Sequence, residues 1–410
     1  ISGTVYQSDG VTVITGVNIG VSVVSGSPCG DWSDMVWHWT TDGQYTIYGL
    51  PPGTYYLRAD NGNQSDYINE WWAETASSFS CGDANAITIS DASVSGKDFQ
   101  LDMGYSISGT LYQSDGSTVI TGVSICVKAA SGSPCSGWSD VMWHCTTDGQ
   151  YTIRGLPSGT YYLRADNNDD QSNYVNEWWA SAASVHLSDC GDAESITISD
   201  ASVSGKDFQL DEGYSISGTV YQSDGITPIT DATIGFVVSQ VSQGGNPCGN
   251  NIDVAWGNTN DGHYTINGLP SGIYYVNTEN NSQSNYVNEW WADPSSSIDC
   301  SAAEPITISD ASVSGKDFQL DMGYSISGTV YKEDGVAPVT DASIGISVKQ
   351  RDDTRDDRIE VAWSDTSTGT YTVHGLPPGT YYVRTDNNGQ SNYVNEWWAS
   401  GGSSFEFENA

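Results

Sequence analysis

Apolar and polar residues alternate with a period of two along most of this chain, and no stretch holds a helical period. Ile1 and Val5 share one face of a strand over 1–6, and a turn at Asp9-Gly10 follows. Val17, Ile19, Val21 and Val23 point inward from a strand over 17–24, with the polar residues between them mostly outward. A strand around 35–40 comes next. Asp42-Gly43 supplies a hairpin turn, and Tyr45 and Ile47 continue the inner face. Gly49-Leu50-Pro51-Pro52-Gly53 reads as a turn in which Pro fixes φ and Gly admits positive φ. Tyr55, Leu57 and Ala59 then face inward, leaving Tyr56 and Arg58 outside. Ile87 and Ile89 begin a further strand, and Phe99 and Leu101 close the set. About seven or eight short strands with turn signals roughly every 8–12 residues predict an antiparallel β-sandwich.

The whole set recurs. Ile1, Ile107, Ile216 and Ile326 each open an ISGT(V/L)Y phrase, at spacings of 106, 109 and 110 residues. A heptapeptide, YINEWWA at 67–73 and YVNEWWA at 174–180, 286–292 and 393–399, recurs in the same frame and holds eight of the 15 Trp. A period of this length is too long for a solenoid unit and matches a whole small domain. The chain is therefore expected to be four tandem domains, 1–104, 105–213, 214–323 and 324–410. Only five residues separate Leu101 from Ile107, so the domains are expected to abut as a stiff rod.

Composition narrows the partners. The 51 acidic residues against 13 basic ones give a net charge of −38, a field that repels nucleic acid and anionic lipid. An aromatic content of 11% sets the chain apart from disordered acidic tails, and the weight of Tyr, Trp, Val and Ile is that of strands. No run of 18 apolar residues occurs, so no membrane insertion is expected. No secretory signal opens the chain at Ile1, so a secreted form is expected to be already processed.

The eight Cys fall in register. Cys29, Cys135 and Cys248 each follow a Pro in one loop, and Cys81, Cys190 and Cys300 follow the second Trp of each pair by nine, eleven and nine positions. One bridge per repeat is expected, Cys29–Cys81, Cys135–Cys190 and Cys248–Cys300. Cys126 and Cys145 stand where repeat one has Gly20 and Trp39, and are expected to cross-link neighbouring strands. Matched pairs without a CxxC point to an oxidising compartment rather than to a metal. Repeat four has no Cys; its loop carries Asp352, Asp353, Arg355, Asp356, Asp357 and Arg358, a set suited to ion pairs.

The stretch TDGQYTIYGLPPGTYYLRAD of repeat one, with the preceding ISGTVY and DG, resembles the carboxypeptidase regulatory-like domain, a transthyretin-like (prealbumin-like) β-sandwich. TTDGQYTIRGLPSGTYYLRAD, TNDGHYTINGLPSGIYYVNTE and TSTGTYTVHGLPPGTYYVRTD repeat the match in the other three domains. The resemblance implies an all-β, Ig-like module without chemistry of its own, used as spacer, stalk or accessory domain, with pilin and adhesin stalk modules of Gram-positive surfaces among its relatives. The Cys loop and the NEWW insertion depart from the family pattern, so any special function is expected there.

Candidate chemistry is sparse. Of His38, His144, His186, His263 and His374 only the first two share a frame, and no Ser–His–Asp order repeats, so no catalytic residue is expected. In a strand the two Trp of each pair point to opposite faces. The second of each pair, Trp72, Trp179, Trp291 and Trp398, is the candidate for an interface with the next repeat or for stacking on glycans. The Asp- and Asn-rich loops 60–66, 166–173, 279–285 and 386–392 lack the EF-hand spacing; they read as solvated turns, with calcium the alternative and no other cofactor. Asn63 and Asn280 match the N-glycosylation acceptor. Lys97, Lys206 and Lys316 recur in an SGKDF phrase missing from repeat four, which argues against an isopeptide role.

Repeat four also has no counterpart of segment 87–102. Phe405-Glu406-Phe407-Glu408 alternates like Phe99-Gln100-Leu101-Asp102 and is a candidate to close the domain; otherwise a neighbouring subunit adds a strand. The sequence thus reads as a non-enzymatic extracellular structural protein, a surface stalk or filament subunit that self-associates head to tail. The alternative reading is a multivalent carbohydrate-binding protein.

Overall fold

Period-two alternation becomes two stacked layers in each repeat. The computed structural model describes residues 1–410 apart from 26–27, 30–35, 64, 168–171, 241–246, 249–251, 280–283, 352–357, 387–392, 401 and 405–410, and at 136–140, 188, 252, 350–351 and 358–363 the backbone alone. In repeat one the strands are β1 (Ser2–Gln7), β2 (Ile19–Ser25), β3 (Val36–Thr40), β4 (Gln44–Thr46), β5 (Gly53–Asp60), β6 (Glu70–Trp71), β7 (Ile87–Ile89) and β8 (Phe99–Leu101). One sheet runs β4-β1-β8; the other runs β3-β2-β5-β6, with β7 also on β5. Val5, Tyr45, Ile47, Phe99 and Leu101 of the first sheet meet Val21, Val23, Leu57 and Ala59 of the second in one core, all 2% exposed or less. No sheet mixes strands from two of the four periods among the described residues. The chain is all-β, four β-sandwiches in tandem.

Two features differ from the expected pattern. First, β8 joins β1 in parallel, Val5 opposite Phe99 and Gln7 opposite Leu101, whereas the other pairings of repeat one are antiparallel. It arrives from β7 on the other sheet by a crossover, which is the connection a parallel pair needs. Second, β2 starts at Ile19 and is covered on both faces: Ser22 and Val24 are as buried as Val21 and Val23. The outer cover comes from side chains on neighbouring strands, described below.

The ISGT phrase has a packing cause. A Cβ at Gly3, Gly109 or Gly218 would run into the carbonyl oxygen of Lys97, Lys206 or Lys316. The same carbonyls accept from the hydroxyls of Tyr45, Tyr151 and Tyr264. The closing segment therefore lies directly on the first strand.

Repeat four is built differently at this place. Tyr324–Thr329 pairs only with Thr370–Leu376 among the described residues, where the first three repeats place a third strand. The expected replacement, 405–408, and the ion-pair loop 352–357 lie outside the described residues, and Arg358 is described by its backbone alone.

Junctions between repeats are short and specific. Only residues 102–104, 211–213 and 321–323 stand between consecutive strands of successive repeats. At the first junction Arg154 Nη1 meets Asp66 Oδ1 at 3.0 Å, and the Trp143 amide donates to Asn63 Oδ1 at 3.2 Å. At the third, His374 Nδ1 lies 2.6 Å from Asn285 Oδ1. Gly155 (φ +68) and Gly268 (φ +73) lie under the carbonyls of Tyr67 and Tyr174 of the preceding repeat, where a Cβ would not fit.

Candidate functional site

The NEWW corner is assembled from the end of β5, from β6 and from the closing segment. Ala59 pairs with Glu70 and Arg58 with Trp71, so alternation sends Glu70 to the inner face and Trp71 to the outer one. Each of the four letters then has a separate task.

Asn69 accepts the Asn61 amide at 2.8 Å, donates to Asp60 Oδ2 at 3.1 Å and reaches Met142 Sδ of the next repeat at 3.5 Å. Asn176 likewise accepts the Asn167 amide and donates to Val254 O of the next repeat at 2.8 Å. The Asn is thus a junction residue.

Glu70, Glu177 and Glu289 are buried, 1%, 0% and 2% exposed. Glu70 accepts the Asp102 amide at 3.3 Å and Glu289 the Asp321 amide at 2.9 Å, which ties the corner to the end of the closing strand. Loss of hydration pushes both carboxyls up to about 7.

Trp71 lies on the outer face beside the Arg58 guanidinium, 6.0 Å from the ring centre, and Trp178 beside Arg164 at 5.7 Å. Trp72 returns to the inner face and joins the core. The Lys97 ammonium stands 4.2 Å from its ring centre; Lys206 on Trp179 and Lys316 on Trp291 repeat this at 4.3 and 4.2 Å. This corrects the expectation for three of the four candidates: Trp72, Trp179 and Trp291 are 5–6% exposed, with no ring face left for a glycan. Trp398, which no SGKDF phrase follows in this sequence, is 64% exposed.

Exposed aromatic surface lies instead on the third strand of each of the first three sandwiches. Trp37 pairs with Ser22, Ser22 with Arg58 and Arg58 with Trp71, a row across the outer face. Trp143–Lys128–Arg164–Trp178 and Trp256–Val237–Asn277–Trp290 are the same row in repeats two and three. This row is the second cover over β2. Trp39 stacks on Trp37 with ring centres 5.8 Å apart and lies over Gly20. Trp39, Trp143 and Trp256 are about half exposed. The signal that finds the row is in-register recurrence: Trp37, Trp143, Trp256 and Trp363 each precede a Thr by three positions.

The cysteines form Cys29–Cys81, Cys135–Cys190, Cys248–Cys300 and Cys126–Cys145. Cys126 and Cys145 lie directly opposite one another on adjacent strands, in the place of Gly20 and Trp39. Asn63 is half-buried at the first junction, the one described non-Gly residue with positive φ (59°). Asn280 lies outside the described residues. In loop 60–66 the oxygens of Asp60, Asn61 and Ser65 accept from donors in the loop and from Tyr67 and Asn69 just after it, and much of the three other loops proposed for calcium lies outside the described residues.

One cluster escaped the sequence reading. In repeat two the strand Val185–His186 pairs with Glu177–Trp178, placing His186 opposite Glu177. His186 Nε2 lies 3.5 Å from Glu177 Oε1 and 3.5 Å from Asp211 Oδ2. Both Glu177 oxygens are shut off from solvent without a hydrogen bond of normal geometry; the Asp211 amide approaches only loosely. Burial first, and then the Asp211 charge, push the Glu177 carboxyl up to about 8. At this place the other repeats have an apolar residue, Phe79 and Ile298, both more than half exposed, and Phe405 by sequence register. Attention to what recurs hides a residue that occurs once.

No family model matches the chain, and no curated protein does. Among solved structures it is similar to a streptococcal ancillary pilin, at 12% identity and a TM-score of 0.23 over 78% of this chain and 99% of that one. The major pilin subunit of Bacillus cereus is similar at 11% identity and a TM-score of 0.17, over 79% of this chain and 98% of that one. A tetra-tandem repeat from the extending region of a large adhesion protein is similar at 12% identity and a TM-score of 0.12, over 94% and 91%. At these values the likenesses carry no argument about function.

Proposed function

We propose that the chain is a non-enzymatic structural strut of an extracellular or cell-surface assembly, four transthyretin-like sandwiches held end to end in a stiff rod. The observation that carries the reading is the junction. The corner Asn reaches into the next repeat twice over, at Asn69–Met142 and Asn176–Val254, and linkers of three residues leave no slack. Four disulfides with no free Cys fit an oxidising compartment. End-to-end assembly would enter through repeat four, whose first strand is paired along one edge only among the described residues, the kind of edge that strand addition uses. The added strand does not come from 1–6. That segment is paired on both edges, and the Ile1 amino group donates to Ile47 O within its own domain.

Small-angle scattering joined to negative-stain microscopy tests this. A rod of fixed length, and filaments of rods at high concentration, are expected; independently tumbling domains would overturn it. A second reading, glycan binding, is favoured by one observation, the half-exposed Trp39, Trp143 and Trp256 on equivalent strands. Titration with polysaccharides, following Trp fluorescence in the parent and in Trp143→Ala with Trp256→Ala, decides it: saturable binding lost in the variant supports glycan binding, and no response sinks it.

A further inference from the structure

The Glu177–His186–Asp211 cluster is placed by three backbone elements. Glu177 and His186 are cross-strand partners, and Asp211, directly after Phe208–Leu210, is fixed by the bond from the Val175 amide to its carbonyl at 2.9 Å. A buried carboxylate with unused oxygens, an imidazole and a second carboxylate thus converge with their ligand atoms all within 4.8 Å of one another. We propose that Glu177, His186 and Asp211 form a binding site for a divalent transition-metal cation of the zinc class.

Geometry supports the assignment. Zinc takes imidazole nitrogen and carboxylate oxygen at about 2.0–2.2 Å, and tetrahedral angles then separate ligand atoms by about 3.4 Å. His186 Nε2 lies 3.5 Å from an oxygen of each carboxylate. The donor set disfavours calcium and magnesium, which take oxygen ligands, and suits zinc and its neighbours. Charge supports it too. Two carboxylates and a neutral imidazole sum to −2, so a divalent cation leaves the site uncharged in net, which removes the cost of an unpaired buried carboxylate. Access is through the half-buried His186 and the exposed Asp211, and three protein ligands would leave a fourth position for water.

The cation would act as a clasp. It would hold the corner strand, the short strand after it and the end of the closing strand together in repeat two, the repeat that also carries the extra Cys126–Cys145 bridge. In repeats one and three the Asp102 and Asp321 amides bond directly to Glu70 and Glu289 at that corner.

The test is to strip the full chain with a chelator and titrate Zn²⁺ alone by calorimetry, with Co²⁺ as a coloured reporter. One saturable Zn²⁺ equivalent is expected, together with a four-coordinate Co²⁺ spectrum and slowed hydrogen exchange at 177–178, 185–186 and 208–211. His186→Phe, which installs the residue repeat one carries at this register, is expected to keep the fold by circular dichroism and lose all three signals; the exposed Asp211→Asn is expected to weaken them. No saturable binding by the parent chain would overturn the assignment and leave the three side chains as a metal-free contact. Binding unchanged in both variants would overturn it by placing Zn²⁺ elsewhere on the acidic surface.

Discussion

Lys97 holds its ammonium 4.2 Å from the centre of the Trp72 ring, and this contact joins the corner strand to the closing segment of the repeat. Trp72 follows β6, whereas Lys97 belongs to the crossover leading into β8. The cation stands against a ring that belongs to the core and is 5% exposed. A cation–π contact of this half-buried kind contributes about 1–2 kcal/mol. Lys97→Ala is expected to destabilise repeat one by about that much, and Trp72→Ala by about 3–5 kcal/mol. Trp398→Ala, at an exposed ring, is expected to stay within about 0.5 kcal/mol. Urea unfolding read by hydrogen exchange at amides of 1–104 and 324–398 checks all three. Equal losses at Trp72 and Trp398 would show that Trp72 is not a core residue.

The junctions give a second expectation. Gly155 has positive φ, and a Cβ there meets the Tyr67 carbonyl, which belongs to backbone and does not swing aside. Gly155→Ala therefore costs about 1–2 kcal/mol in backbone conformation alone and prises repeats one and two apart. Scattering is expected to show a bend or hinge at that junction with both sandwiches intact. Arg154→Ala, which removes an ion pair with both partners nearly half exposed, is expected to cost under about 1 kcal/mol and to leave the rod straight. A straight rod in Gly155→Ala would sink the close-contact account.

The sandwich was legible in the sequence because its alternation is local: Tyr55, Leu57 and Ala59 declare a face within five residues. The fate of the paired Trp was not. Alternation puts Trp71 and Trp72 on opposite faces, but which face is covered depends on Arg58 and Lys97, which are not sequence neighbours of the pair. The double cover of β2 was hidden for the same reason, since Ser22 looks like an outward position until Trp37 and Arg58 are paired beside it. The parallel closing strand was hidden because a three-residue Phe-Gln-Leu phrase carries no mark of direction. His186 was passed over because its importance lies in being unlike its counterparts.

Acidity gives a third expectation. Glu70 and Glu289 have folded values near 7 against an ordinary 4.5. The folded state thus keeps protons that the unfolded chain has already lost. The stability each contributes is fully present below about pH 4.5 and is lost as pH rises to about 7. The depressed carboxylates Asp9 and Asp115 act below pH 4, outside that window. Melting temperature is expected to fall between pH 5 and pH 8, and the fall to shrink in Glu70→Gln with Glu289→Gln. A flat profile in the parent chain would contradict burial of these carboxylates.

Disulfides grade the repeats. A bridge spanning 52 residues removes about 4 kcal/mol of unfolded-state entropy in the chain model, and one spanning 19 about 3 kcal/mol. Without reductant, repeat four, which has no bridge, is expected to unfold first. With reductant, repeats one to three are expected to lose stability while repeat four does not change. Site-resolved exchange with and without reductant reads both; a reductant effect confined to 324–398 would reverse the grading.

The last expectation concerns the edge of repeat four. In repeat three the segment 306–320 does three things: Ile306 and Ile308 cover the strand Gly272–Glu279, Val313 bridges to Ile216, and Phe318 and Leu320 enter the core beside Val220. In repeat four the counterparts of Ile216 and of the strand at 272–274 line a groove of about 400 Å³, with Tyr324, Ile326, Leu376 and Tyr381 in its wall. Tyr324 is 69% exposed there, and Tyr371, whose counterpart Tyr264 is 3% exposed, is only half-buried. Apolar surface beside a strand edge that has no partner among the described residues is what a strand of that chemistry covers, contributing about 25 cal/mol for each Å² taken from water. A labelled peptide with the sequence of 304–323 is expected to bind the chain saturably, to slow exchange at 324–329 and 379–384, and to dissolve any filaments by competing for the same edge. The same peptide with Asp in place of Phe318 is expected not to bind. If 324–329 already exchanges as slowly as 214–222 without peptide, residues 405–410 close the domain from within and end-to-end growth by strand addition is wrong. If the edge exchanges fast and still refuses the peptide, the groove does not take a closing strand and the assembly must use another surface.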